Sequence, residues 1–237
     1  MKHLLIRIIF ATALFSCHNN ETVTGSGNTT TQSRQTGSFK GIKLLGSMNI
    51  EVKKGAETNV EIVAEDNIIT YIETYVDNGK LVVKYKDDVN INNSGDVLVK
   101  VTTPVLSDAE VLGSGDINGD GKFSSEGKMY FNVLGSGSIK LEVDAPSVEA
   151  KTTGSGNINL SGNTKDVEFS TLGSGEIEAG DLKAENATAK TLGSGDIHLF
   201  ASVKLSATIN GSGGVRYKGG AAVSSSVHGS GTVEAAD

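Results

Sequence analysis

Residues 171–177 read Thr-Leu-Gly-Ser-Gly-Glu-Ile, and residues 191–197 read Thr-Leu-Gly-Ser-Gly-Asp-Ile. The triplet Gly-Ser-Gly recurs with its first glycine at Gly113, Gly135, Gly154, Gly173, Gly193, Gly211 and Gly229, at intervals of 18 to 22 residues. The flanks repeat as well. Two residues before each triplet stands Val111, Val133, Thr152, Thr171, Thr191, Ile209 or Val227. Four after its first glycine stands Ile117, Ile139, Ile158, Ile177, Ile197, Val215 or Val233. All of these are β-branched, whereas Asp116, Ser138, Asn157, Glu176, Asp196, Gly214 and Thr232, one residue earlier, include no large apolar side chain. Outward steps of two from Gly135 meet Met129, Phe131, Val133, Ile139 and Leu141, while Lys151, Glu168 and Lys190 occupy alternate positions in their own copies. Such period-2 patterning over about a dozen residues belongs to a β-strand. The two inward glycines interrupt its packing, and glycine in a strand marks a bend, a bulge or a close backbone approach. Each copy therefore predicts two short strands joined through a glycine corner.

Connections of six to ten residues, such as Ser161-Gly162-Asn163-Thr164-Lys165-Asp166, read as solvent-facing turns. Equivalent strands one coil apart stack directly on one another, so the expected fold is all-β: a right-handed parallel β-helix, or β-solenoid. At ~4.8 Å per coil, seven copies make a rod about 35 Å long. Ile42 to Val52 is a degenerate eighth copy in which Met48 replaces the second glycine, giving seven or eight coils. Stacked columns of Val, Ile, Leu, Ala and Thr explain how a chain with seven phenylalanines and no tryptophan builds a core. The residues between this copy and Gly113 repeat nothing. They hold strand-like runs at 59–64, 81–85 and 97–102, a turn signal at Asp77-Asn78-Gly79-Lys80, and three-and-four spacing from Ile68 to Val76 that allows a short helix. Residues 37–106 are expected to form a β-rich module capping the first coil, and residues 107–237 the repeat β-helix.

With 237 residues, 30 glycines and two prolines, the chain lacks the every-third glycine and abundant proline of collagen. Recurrent Val, Ile and Leu exclude a wholly disordered chain. The net charge of −7 argues against a nucleic-acid partner.

Residues 1–16 carry Lys2 and Arg7 ahead of the apolar stretch Ile8 to Phe15, the pattern of a secretory signal too short to span a bilayer. Leu14-Phe15-Ser16-Cys17 looks like the lipobox of bacterial lipoproteins, and Cys17 is the only cysteine, so Cys17 is the expected lipid-attachment residue. Residues 17–36 are rich in Thr, Ser, Asn and Gly and are expected to be a flexible tether. Export and lipid anchoring in a bacterial outer membrane follow, on its periplasmic face or at the cell surface.

The recurring Gly-Ser-Gly-x-Ile/Val, the degenerate first copy and the lipoprotein start resemble one bacterial family, the "putative autotransporter adhesin, head GIN domain". The resemblance covers roughly residues 38–220. It implies a right-handed β-helix in an exported, surface-associated protein without an established catalytic residue. The chain carries nothing like an autotransporter's membrane barrel, so the lipid is expected to hold it to the membrane.

Local chemistry is sparse. Asp116, Asn118 and Asp120, followed by Gly121, match the start of a calcium loop, but Gly127 stands where the closing acid belongs. An inter-coil turn is the expected reading, with no metal site and no cofactor. None of the glycine-rich segments has the Gly-Lys-Ser/Thr of a phosphate loop. His198 and His228 occupy different template positions, and the acids alternate outward as a solvated face does. No catalytic residue is assigned, and the chain is expected not to be an enzyme. The function expected is adhesion or envelope interaction, with a surface glycan or a protein as ligand and the membrane reached through the lipid. The open ends of a β-helix leave homo-oligomers open. The alternative is a carbohydrate-active β-helix enzyme or polysaccharide-binding protein. A cleft lined by two close carboxylates with perturbed pKa values would favour the enzyme.

Overall fold

The computed structural model describes residues 21–92 and 95–236. The segment before the repeats forms strands β1 (Glu21–Thr24), β2 (Thr29–Arg34), β3 (Gly41–Gly46), β4 (Asn49–Lys54), β5 (Asn59–Glu65), β6 (Ile72–Asp77), β7 (Lys80–Tyr85), β8 (Val89–Asn92) and β9 (Leu98–Thr103). The repeats follow as β10 (Asp108–Gly113), β11 (Asp116–Ser124), β12 (Met129–Gly135), β13 (Ser138–Gly154), β14 (Asn157–Gly173) and β15 (Glu176–Lys183). The last turns are β16 (Asn186–Gly193), β17 (Asp196–Phe200), β18 (Lys204–Gly211), β19 (Gly214–Lys218), β20 (Ala222–Gly229) and β21 (Thr232–Ala235). Among the described residues there is no α-helix.

The glycine corner sets the register of the whole stack. In parallel ladders Gly46 pairs with Gly113, Gly113 with Gly135, and so on through Gly154, Gly173, Gly193, Gly211 and Gly229. Beyond the corner Ile50, Ile117, Ile139, Ile158, Ile177, Ile197, Val215 and Val233 stack in the same order. The result is a stacked parallel β-solenoid of about six turns, slightly fewer than the seven or eight coils expected. The two end copies account for the difference. The degenerate copy at Gly46 is overlaid by non-repeat strands, and β20 is exposed along its whole length because no rung covers its far side.

Two constraints make the corner glycines necessary. Gly173 has φ +117°, a region that disfavours side chains, and a Cβ there would stand 2.5 Å from the Gly154 carbonyl oxygen. Gly175 has no such φ; instead, a Cβ would stand 2.5 Å from the Gly156 oxygen and 3.0 Å from Thr152 Oγ1. The rungs approach this closely because corner amides bond to the rung before. Ser174 N–H donates to the Gly154 carbonyl at 2.8 Å, and Ser194 and Gly195 N–H donate to that of Gly173 at 2.8 and 3.0 Å.

Inside, large and small residues alternate along one column. Ala109, Phe131, Ala150, Phe169 and Ala189 stack in register, so each buried ring lies between two alanines. A second column stacks Thr152, Thr171 and Thr191, all buried, and none of their Oγ1 atoms has a hydrogen-bond partner.

The expected strands at 59–64, 81–85 and 97–102 are β5, β7 and β9. Asn78 (φ +48°) and Gly79 (φ +76°) make the turn between β6 and β7, as Asn-Gly does in tight hairpins. β7 and β9 lie in parallel on β3 and β4 and so cover the first coil. Gly41 has no side chain, which lets Lys80 Nζ reach across it to Asp108 Oδ1 at 2.9 Å and tie cap to repeat.

Three expectations are corrected. The short helix is one 3₁₀ turn, Ile69–Tyr71, because the β-branched run after it enters β6. The connection at 161–166 is strand: β14 runs 17 residues on the β13 ladder, bending at Gly162 with φ +115°. The described part of the tether is largely strand as well. β2 pairs antiparallel with β5, β1 pairs with β8, and the buried Glu65 carboxylate accepts the Gly27 and Gly95 N–H groups at 3.0 and 2.9 Å. A polar segment can be ordered in this way because its backbone completes an existing sheet edge.

Two outcomes follow. Gly175→Val is expected to lower stability by about 1–3 kcal/mol through overpacking, whereas the exposed Ser174→Val stays within about 0.5 kcal/mol. Equal melting temperatures for the two variants would contradict the corner geometry. Thr171→Val keeps the shape and removes a buried, unpartnered hydroxyl. It should stabilise by about 1 kcal/mol, seen as a rise in melting temperature of roughly 2–4 °C; a fall would show that the hydroxyl is satisfied.

Candidate functional site

Along the strands that follow the corner, every second residue points outward, and register aligns these residues into rows. The fifth residue after each first glycine gives Asn159, Glu178, His198, Arg216 and Glu234, each opposite the next. Parallel neighbours stand about 4.8 Å apart, so complementary groups in one row must meet. His198 Nδ1 lies 2.6 Å from Glu178 Oε1, and Arg216 Nη1 lies 3.5 Å from His198 Nε2. A guanidinium only donates, so where the ring is neutral this contact puts its proton on Nδ1, facing the Glu178 carboxylate.

The third residue after each first glycine forms an adjacent row containing Glu176, Asp196 and Gly214. Asp196 Oδ1 accepts the Gly214 N–H at 2.6 Å. Burial raises the Glu176 carboxyl above its ordinary range, and its hydrogen bond to Glu178 and repulsion from Glu178 and Asp196 raise it further against the opposing His198 charge. The Glu176 carboxyl thus holds its proton more tightly than a solvated carboxylate does. Donor atoms of Glu176, Glu178 and His198 all lie within 4.8 Å of one another. A groove of about 430 Å³ adjoins them, lined by Asn159, Glu178, Asp181, His198, Arg216 and Lys218 among others.

A different row, directly before the corner, stacks Leu112, Leu134, Thr153, Leu172 and Leu192. Leu134, Leu172 and Leu192 are 46%, 42% and 53% exposed, which makes a partly apolar line on an otherwise polar face.

Cys17, the expected lipid-attachment residue, lies outside the described residues. Asp116, Asn118 and Asp120 lie on β11, an extended strand and not an inter-coil turn. Asp116 Oδ1 accepts the Ser138 hydroxyl at 2.7 Å, and Asp120 lies 3.8 Å from Lys53 with both side chains exposed. Alternate residues of a strand are about 6.6 Å apart, so the three side chains run in a line. His228 sits in the leucine row's last rung, opposite Asn210, far from the His198 row. Read along the sequence, the outward acids form a solvated face, and nothing in it brings Glu176, Glu178 and His198 together. Aligning the copies on the glycine corner would have placed Glu178 beside His198 and His198 beside Arg216. The leucine row follows from the same alignment.

The fold recurs in solved structures. A "putative adhesin" from Bacteroides fragilis is 24% identical, covers 90% of this chain and 100% of its own, and superposes with a TM-score of 0.84. At that identity the likeness is one of fold. A "putative adhesin" from Parabacteroides merdae is 26% identical, with 92% and 100% covered and a TM-score of 0.70. A "putative lipid binding protein" from Parabacteroides distasonis is 26% identical over the same shares, with a TM-score of 0.73. No curated protein matches the chain. The family "Putative auto-transporter adhesin, head GIN domain" matches residues 38–221, and with its Gly-Ser-Gly corners stacked in register through that span the chain belongs to this family.

Proposed function

We propose that the protein is an exported, lipid-anchored, non-catalytic envelope protein acting in adhesion or envelope contacts. The single observation that carries the contact role is the leucine row on a flat parallel face. Leu134, Leu172 and Leu192 project from the ladder and leave about half of their surface to solvent. Exposed apolar lines rimmed by polar residues mark interaction surfaces. Membership of an adhesin-like family supports the same reading. A surface glycan or a protein is the ligand class, met by a face and not by a deep cleft.

The pair Glu176 and Glu178 beside a groove invites the carbohydrate-enzyme alternative, but their geometry opposes it. Glycosidase carboxylates flank the bond they cleave, at about 5–5.5 Å when retaining and ~6.5–9.5 Å when inverting. Here both lie on one strand, with carboxylate oxygens within 4.8 Å of each other. They offer no opposed faces for a sugar.

The anchor is placed at Cys17, with residues 1–16 removed on export. No helix among the described residues is long and apolar enough to cross a membrane. Each buried lipid CH₂ adds ~0.8 kcal/mol, so several acyl chains on one cysteine hold a protein firmly.

Cys17→Ala is expected to abolish incorporation of a fatty-acid analogue and detergent partitioning while leaving the melting temperature unchanged; a variant that still labels and partitions like the wild type contradicts the anchor. For the contact role, the unlipidated protein is screened on glycan arrays and by adhesion of coated beads to bacterial envelopes. Replacing Leu134, Leu172 and Leu192 together by Ser should preserve folding and lose at least tenfold in whichever binding is seen. Binding unchanged by that replacement would contradict the leucine face.

A further inference from the structure

We propose that Glu176, Glu178 and His198 hold a divalent transition-metal ion of the zinc–copper–nickel type, on the outer face of adjoining rungs. Strand alternation places Glu176 and Glu178 on the same side of β15, and parallel register places His198 of β17 directly opposite Glu178. All three donor atoms lie within 4.8 Å of one another. The best-placed point in such a triangle is no more than about 2.8 Å from all three atoms, so bonds of ~2.0–2.2 Å need side-chain shifts of less than about 1 Å. Both strands are fixed by their ladders, which leaves only the side chains to move.

The chemistry of the donors selects the ion. Calcium and magnesium take six or more oxygens, and here one of three donors is an imidazole nitrogen. One nitrogen and two carboxylate oxygens suit zinc, copper or nickel, with further positions open to water or to a ligand in the adjoining groove. Electrostatics favours a cation as well. Glu176, Glu178 and Asp196 bring three carboxyl groups to one patch on adjoining rungs.

Arg216 sets the cost. Its guanidinium faces His198 Nε2 at 3.5 Å. When the metal takes Nδ1, Nε2 must carry the ring proton, and two donors then face each other. Arg216 therefore has to turn aside, and Glu234, opposite it on the last rung, offers a carboxylate in exchange. The site is gated by a salt-bridge switch within one row. This inference does not rest on the adhesive reading and can fail without it.

The test is calorimetric titration of ZnCl₂ into the Cys17→Ala chain, free of affinity tags, in a non-coordinating buffer at neutral pH. We expect one ion per chain. His198→Ala and Glu178→Gln should each weaken binding at least tenfold, and His228→Ala, in the leucine row on the exposed last rung, should leave it unchanged. Arg216→Ala should bind severalfold more tightly. Because a substitution can perturb folding, the unmutated chain supplies a second readout: the His198 ring resonances should shift and saturate at one equivalent of zinc. Ring resonances that stay put, wild-type binding no tighter than that of His198→Ala, or equal losses in His228→Ala would each overturn the site.

Discussion

A single backbone contact governs this molecule: the carbonyl of each corner glycine accepts amide hydrogens from the corner of the next rung. Ser174 N–H on Gly154, and Ser194 and Gly195 N–H on Gly173, are instances of one repeated arrangement. The contact demands a left-handed φ at the first glycine and the absence of a Cβ at the second, and those two demands account for Gly-Ser-Gly. Serine between them faces solvent and is free to vary in principle. Once corners stack on corners, the positions flanking them are fixed in register, and the ladder shifts only farther out, at Asn118–Lys122 and Asn159–Ser161. Isoleucine falls on isoleucine, phenylalanine between alanines, and leucine on leucine outside.

That dependence explains which features were legible in the sequence. The inward columns were, because β-branched residues at two fixed offsets from each triplet can only be strands of a stacked coil. The capping module was legible in its strands and in the Asn78-Gly79 turn, both of which are local signals. Its pairing was not, since nothing local joins Thr29–Arg34 to β5; a threonine-rich polar segment reads as tether until a sheet edge and the Glu65 carboxylate are there to receive it. Gly162 shows the same limit. In sequence it reads as part of a turn, yet it bends an unbroken strand, because a solenoid can turn without leaving its ladder. The Glu178–His198–Arg216 row was present in the spacing but emerges only when outward positions of separate copies are aligned as neighbours.

The outer surface carries chemistry as rows because the inner surface imposes a ladder. A parallel stack repeats each outward position every rung, so single substitutions accumulate into lines of like or complementary side chains. One line is apolar, from Leu112 to Leu192; another passes from Asn159 through carboxylate, imidazole and guanidinium to Glu234. Such lines suit extended partners better than small enclosed ones. They also evolve without cost to the core, because outward residues contribute little to the columns within.

The central claim is that the triplets stack one rung apart. Spin labels on Ser114→Cys paired in turn with Ser194→Cys, Ser212→Cys and Ser230→Cys, in a Cys17→Ala background, measure it by pulsed dipolar spectroscopy. Ser114 and these partners are separated by four, five and six rungs, so the account predicts distances rising in equal steps, near 19, 24 and 29 Å at ~4.8 Å per rung. Distances that do not grow with rung number would contradict the stack.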